Sequence, residues 1–225
     1  MINWQEIDLV LLDMDGTLLD LNFDMKFWLE HIPTVYAEQN EIDVQAARDH
    51  ILPEMRRVQG TLPWYSVDYW SETLGLDVMA LNHDMAHLIQ PRPGALEFLQ
   101  KLKSAEIPTW IITNAWPMTV DLKFSKVELS PYIQRVVTSH DLNAPKESAL
   151  FWEQLFQLHD TCRSRCLFID DSSSVLQAAD EFGIGQLLTI KQPDMSSASR
   201  PHNGFRALDH FSQIFPQDPK AQFLK

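Results

Sequence analysis

Short apolar runs alternate with longer, helix-periodic stretches along most of the chain. Five runs, at residues 7–13, 109–113, 136–139, 167–170 and 186–190, read as buried strands. Each is short and largely apolar, and helical spacing separates it from the next, which predicts a parallel sheet with crossover helices. In the helix predicted over 94–105, Ala95, Leu96, Phe98, Leu99 and Leu102 share one face. Similar spacing predicts helices over 118–129, 147–159 and 172–182, the last closed by Gly183 as a C-terminal cap. The fold class is α/β.

The rhythm breaks once. Between the first strand and Pro91 no convincing strand occurs, and helical patterns cover 24–39, 43–58, 65–74 and 77–89, interrupted by Pro33, Pro53, Pro63 and Gly75. This is read as an inserted, all-helical cap. Pro91-Arg92-Pro93-Gly94 marks the return to the sheet, giving a catalytic core of residues 1–19 and 91–225 and a cap of residues 20–90. Near the end, the Ser-rich stretch 193–201 reads as a loop and 204–215 as a short helix packed on the core.

Composition narrows the classes. The chain has 225 residues, 45% of them hydrophobic, and 18 Lys+Arg against 31 Asp+Glu leave a net charge of −13. That field repels nucleic acid and anionic bilayers, so neither polymer nor membrane is the expected partner. No basic segment precedes an apolar one at the start and no apolar run approaches membrane length, so the cytoplasm is the expected compartment. The two cysteines, Cys162 and Cys166, build no disulfide framework. Even with His159 nearby they lack the repeated pair spacing of a zinc site, and they read as reduced thiols beside a strand.

The candidate chemistry sits at strand ends. The first strand runs into Asp13-Met14-Asp15-Gly16-Thr17, and a two-residue step in extended chain sends Asp13 and Asp15 to the same side. Gly16 permits the sharp departure that follows. Like charges this close repel unless a cation sits between them or one is protonated. A second pair, Asp170-Asp171, ends the fourth strand, and Ser172-Ser173-Ser174 follows as a helix cap. Parallel-strand ends beside helix starts are where α/β sheets bind ligands. Four carboxylates without His or Cys form a hard oxygen site suited to Mg²⁺. Thr113-Asn114 offers hydroxyl, amide and backbone N–H groups to phosphate oxygens, and Lys146 at a helix start adds a point charge, so a local cation recruits an anionic small molecule.

The succession DMDGT, strand-end Thr-Asn, Lys, then IDDS resembles the haloacid dehalogenase superfamily, whose four motifs occur here in order and across the whole chain. The resemblance implies a Rossmann-like core with a helical cap and phosphomonoester hydrolysis through an aspartyl-phosphate. It makes Asp13 the nucleophile and Asp15 the acid for the leaving alcohol, then the base for water. It also makes Thr113 and Lys146 phosphoryl ligands, with Asn114 and Thr17 adding phosphate contacts. The Mg²⁺ ligands it implies are Asp13, the backbone carbonyl of Asp15, Asp171, and Asp170 directly or through water. Lys146 is followed by Glu147, where many members have proline. A dehalogenase needs no acid at position 15, so Asp15 favours phosphate esters.

Specificity is expected from the cap. Its segment 58–70, with residues 18–21 and 71–76, resembles the bacterial purine nucleotidases of this superfamily that hydrolyse GMP and IMP. Gln59, Trp64, Tyr65 and Asp68 are the candidate substrate contacts, and a small phosphorylated metabolite, a purine nucleoside monophosphate, is the expected partner. Aromatic side chains there stack a purine or simply pack the cap; both readings stay open. A sugar phosphate is the alternative substrate, and a non-catalytic binding protein the alternative class. A signalling receiver domain, which orders its acidic residues differently and lacks a cap, is disfavoured. His83 and His87, at i and i+4, lack a third metal ligand and read as an exposed helix face. Gly183-Ile184-Gly185 follows a helix instead of opening one, so it is a turn, not a dinucleotide fingerprint.

Overall fold

The computed structural model describes residues 2–158, 160–200 and 204–216. Among these, six strands form one parallel sheet: β1 Leu9–Leu12, β2 Thr109–Thr113, β3 Arg135–Thr138, β4 Cys166–Asp170, β5 Gln186–Ile190 and β6 Arg206–Leu208, in the order β3-β2-β1-β4-β5-β6. The apolar runs are continuous because both faces are covered. Val10 and Leu12 pack with Phe98, Leu99 and Leu102, whereas Leu9 and Leu11 pack with Phe151, Trp152 and Leu176. All four β1 side chains are buried, so a polar substitution there meets no water on either side.

Ten helices accompany the sheet among the described residues. Between β1 and β2 lie α1 Asn22–Lys26, α2 Ile32–Gln39, α3 Val44–Val58, α4 Leu62–Tyr65, α5 Val67–Leu74, α6 Val78–Met85 and α7 Ala95–Ser104. After β2 come α8 Pro117–Lys126, α9 Ala149–Leu155 and α10 Ser173–Phe182. The stretch from Phe27 through α6 builds its own core around Phe27, Ile51, Met55, Val67 and Trp70, whereas Phe23 of α1 joins the core of the sheet. A turn of π-helix, Phe27–His31, carries α1 into α2, and this widened turn stands directly before Pro33, which has no N–H to continue a regular ladder. Pro53 does not interrupt α3. Ala47, Ile51, Met55 and Val58 bury one continuous face across it, and Asp43 caps the start by accepting from Ala46 N. The helix expected over 65–74 instead begins after Ser66, which caps α5, and ends at Gly75 in the left-handed region (φ 63°).

The C-terminal expectation needs correction. Residues 204–215 are not one helix: Arg206–Leu208 adds strand β6 beside β5, and only Phe211–Ile214 makes a 3₁₀ turn, whose Phe211 stacks on Phe98 at 5.0 Å. Three residues are too few to display a period-2 pattern. The helix expected over 147–159 is shorter, Ala149–Leu155; His159 and Pro201, the end of the expected loop, lie outside the described residues.

Candidate active site

The strand order places β1 where the chain switches direction across the sheet: β2 and β3 build outward on one side, β4 to β6 on the other. Crevices at such points receive ligands. Asp13 follows β1 directly, its N–H donating to Ile169 O at 3.0 Å, so it lies between the ends of β2 and β4, where Thr113 and Asp170 are the last residues. Gly16 turns the chain with φ 83°, and a Cβ there would sit 2.7 Å from Asp171 Cγ. Only glycine brings this loop against the second acidic pair.

Lys146 completes the centre. Its Nζ lies 2.6 Å from Asp13 Oδ1 and 2.7 Å from Asp170 Oδ2, and it also donates to Ile112 O at 3.2 Å. All three charged residues are at least 95% buried. Burial disfavours the ammonium, but Asp13 and Asp170 overcome it and hold Lys146 above its ordinary pKa. Burial likewise raises Asp13 and Asp170 against the opposing pull of Lys146, and pushes Asp171 up to about 7.

The same residues fit a hard cation. Oxygen atoms of Asp13, Asp170 and Asp171 lie within 4.8 Å of one another, and Asp13 Oδ2 is buried without a hydrogen-bond partner among the described residues. An all-oxygen donor set with an unsatisfied carboxylate oxygen matches Mg²⁺.

Two further groups converge here. Lys123 on α8 is 1% exposed and reaches Asp15 Oδ1 at 2.7 Å and Asp24 Oδ1 at 2.9 Å, tying the DxD loop to α1. Asn114 is engaged in building the site: Oδ1 accepts from Lys146 N at 2.9 Å and Nδ2 donates to Glu147 Oε2 at 3.0 Å. The Asn114 side chain is thus engaged with protein groups on both of its polar atoms. Glu147 Oε1 accepts from the Tyr65 hydroxyl at 2.6 Å, and burial first, then Glu147, raises the phenol so that it stays a donor.

A family model, haloacid dehalogenase-like hydrolase, matches residues 7–183. The chain belongs to the haloacid dehalogenase-like hydrolases. It is 35% identical over 215 residues to the GMP/IMP nucleotidase YrfG of Escherichia coli (strain K12), covering 96% of this chain and 97% of that one. In fold it is similar to a HAD phosphatase from Thermococcus onnurineus (TM-score 0.76, 22% identity, covering 92% of this chain and 96% of that one). The HAD-hydrolase YfnB from Bacillus subtilis, solved bound to magnesium, is also similar (TM-score 0.66, 17% identity, 93% and 97%). Family and site together make the chain an enzyme, a phosphoric monoester hydrolase.

In this hydrolase a cavity of about 450 Å³ runs from Asp13, Asp15, Thr113, Asn114, Lys146, Asp170 and Asp171 up to the helical segment. Of the four candidate substrate contacts, Trp64 and Tyr65 line it, while Gln59 and Asp68 are exposed and absent from its lining. Trp28 and Trp116 line it too and were not singled out by sequence. Trp70 is buried; its indole donates to Trp64 O at 2.9 Å, and Tyr69 binds Glu54 and Arg57. Trp70 therefore both packs the helices and lines the cavity that Trp64 faces.

The remaining candidates lie elsewhere. Thr17 is buried outside the lining, its hydroxyl unpartnered among the described residues. Ser172 precedes α10, yet its hydroxyl does not cap the helix; its N–H donates to Asp170 Oδ1 at 2.7 Å instead. His83 and His87 are exposed, Cys162 is exposed, and Cys166 is buried at the start of β4. Gly183 ends α10 in the left-handed region and leads into β5. Among the described residues no helix is long and apolar enough to cross a membrane.

Proposed function

We propose that the chain is a Mg²⁺-dependent nucleotidase that works through an aspartyl-phosphate on Asp13 and takes purine nucleoside monophosphates such as GMP and IMP. The observation that carries this reading is the Asp13–Lys146–Asp170 contact at the floor of a cavity whose upper walls include Trp28, Trp64 and Trp116. The relative named a GMP/IMP nucleotidase supports the substrate class, and residues 20–90 are read as the cap.

Asp13 attacks phosphorus, and the bond to the ester oxygen breaks as Asp15 supplies that oxygen with a proton. Asp15 then takes a proton from water, which attacks the phosphorus of the acyl-phosphate and returns Asp13 with inorganic phosphate. The transition state is loose, so positioning and charge stabilisation dominate. Lys146 supplies a fixed positive charge beside the nucleophile, and the Thr113 hydroxyl, which accepts from Ala115 N at 3.0 Å, keeps its hydrogen for a phosphate oxygen. The cavity lining carries five aspartates against two lysines. Asp13, Asp170 and Asp171, with the Asp15 carbonyl, would hold Mg²⁺, and the cation supplies the positive charge a phosphate needs to enter so acidic a cavity.

The test is phosphate release from a panel of monoesters. GMP and IMP should exceed hexose phosphates by at least about tenfold in kcat/KM, and chelation should abolish turnover. Better use of hexose phosphates would overturn the purine reading while leaving phosphomonoester hydrolysis intact. Trp64→Ala should raise KM for GMP roughly tenfold or more, the scale of one base–aromatic stack, and leave KM for a small aliphatic phosphate within twofold.

A further inference from the structure

Glu147 is half-buried and makes two bonds that cross between parts of the fold. The hydroxyl of Tyr65, on α4 of the helical segment, donates to one carboxylate oxygen at 2.6 Å, and Asn114, just after β2, donates to the other at 3.0 Å. Asn114 in turn accepts from the Lys146 N–H at 2.9 Å, while the Trp152 indole donates to Lys146 O at 2.8 Å. The Lys146 backbone is thus gripped on both sides, and one grip continues through Asn114 and Glu147 to a side chain lining the substrate cavity. Hydrogen bonds to a charged acceptor in a partly dry site are short and strong, and Tyr65 stays protonated there.

We propose that Glu147 is a positioning residue that couples docking of α4 over the cavity to placement of the Lys146 ammonium on Asp13. The assignment rests on the reading of Asp13 and Lys146 as the phosphoryl site, and it names a contact outside the catalytic set. When α4 is seated, Tyr65 and Asn114 share the carboxylate and Lys146 is held. When α4 lifts, Glu147 loses one donor and the Asn114–Lys146 link loosens. An ammonium needed in the transition state is then less well placed, so the expected loss falls on kcat and spares KM.

The experiment uses the full chain with Mg²⁺ and two substitutions. Tyr65→Phe removes the donor alone, and Glu147→Ala removes both acceptor oxygens, the one facing Tyr65 and the one facing Asn114. Each should lower kcat for GMP about tenfold, the scale of one hydrogen bond to a charged group, with KM changed less than threefold. The double variant should be no slower than the slower single one, because both cut the same link. Either single variant with wild-type kcat, or losses that multiply in the double variant, would overturn the coupling. Hydrogen exchange of the backbone over residues 61–70, measured without substrate, decides the docking separately. Faster exchange in both variants supports it and unchanged exchange overturns it. If wild type turns over no phosphoester, the catalytic reading fails and exchange still decides whether Tyr65 and Glu147 hold α4.

Discussion

Asp13→Asn should yield a folded protein whose phosphate release from GMP is lower by on the order of 10⁴- to 10⁶-fold, the scale on which removing a nucleophile acts. The amide is nearly isosteric but cannot form an acyl-phosphate. Folding should survive because Lys146 keeps Asp170 at 2.7 Å, and the amide oxygen can still accept at the position of Asp13 Oδ1. Removing one of three carboxylates whose oxygens lie within 4.8 Å also relieves repulsion. The unfolding midpoint is therefore expected within about 4 °C of wild type, the equivalent of about 1 kcal/mol for a chain this size. Thermal melts with single-turnover phosphate release check both halves. Activity within tenfold of wild type would remove Asp13 from the nucleophile's role.

The parts of this site that were legible in the sequence are those written locally. DMDGT and IDDS are strand ends followed by turns, so the run, the period-2 step and Gly16 can be read without knowing what lies across the sheet. Lys146 was legible only through its order among the motifs, and the structure supplies what order could not: its ammonium sits between Asp13 and Asp170. Lys123 was missed for a physical reason. It occupies the inward face of α8 between Thr119, Val120 and Val127, where helical spacing calls for an apolar residue, and its partner Asp24 is 99 residues away. A lysine at an inward position was the available signal. Trp28, in the π-helical turn, and Trp116, just before α8, reach the same cavity from places far apart in sequence, so no window could join them to Trp64. Glu147 was noted only as a departure from proline; its two bonds depend on tertiary approach. At the C-terminus β6 was too short for pattern, and its strand character comes from pairing Ala207 with Thr189.

Lys123→Met is expected to destabilise the fold strongly. The methionine matches the length of the lysine stem and the apolar surroundings, including Phe23, whose ring centre lies 5.1 Å from the ammonium, so packing is largely kept and charge is what is lost. Asp15 and Asp24 are then left facing each other without a cation. Breaking a buried ion pair by removing one partner costs about 3–5 kcal/mol, which corresponds to a midpoint lower by roughly 10 °C. The loss should depend on pH in a defined direction. Burial already lifts the Asp24 carboxyl to about 6 despite Lys123, above its value in the unfolded chain, so the folded state binds that proton more tightly and is destabilised as pH rises from about 4 through 6. Without the ammonium the carboxyl rises further, and the deficit of the variant should be smaller at pH 5 than at pH 8. Adding Asp24→Asn should recover at least half the lost stability at pH 8, because one of the two unpaired charges is gone. It should not recover activity, since Asp15 loses the contact that aims it in either background. A deficit that is flat from pH 5 to 8, or a double variant no more stable than Lys123→Met, would show that Lys123 acts by packing and not as the counter-ion of the two aspartates.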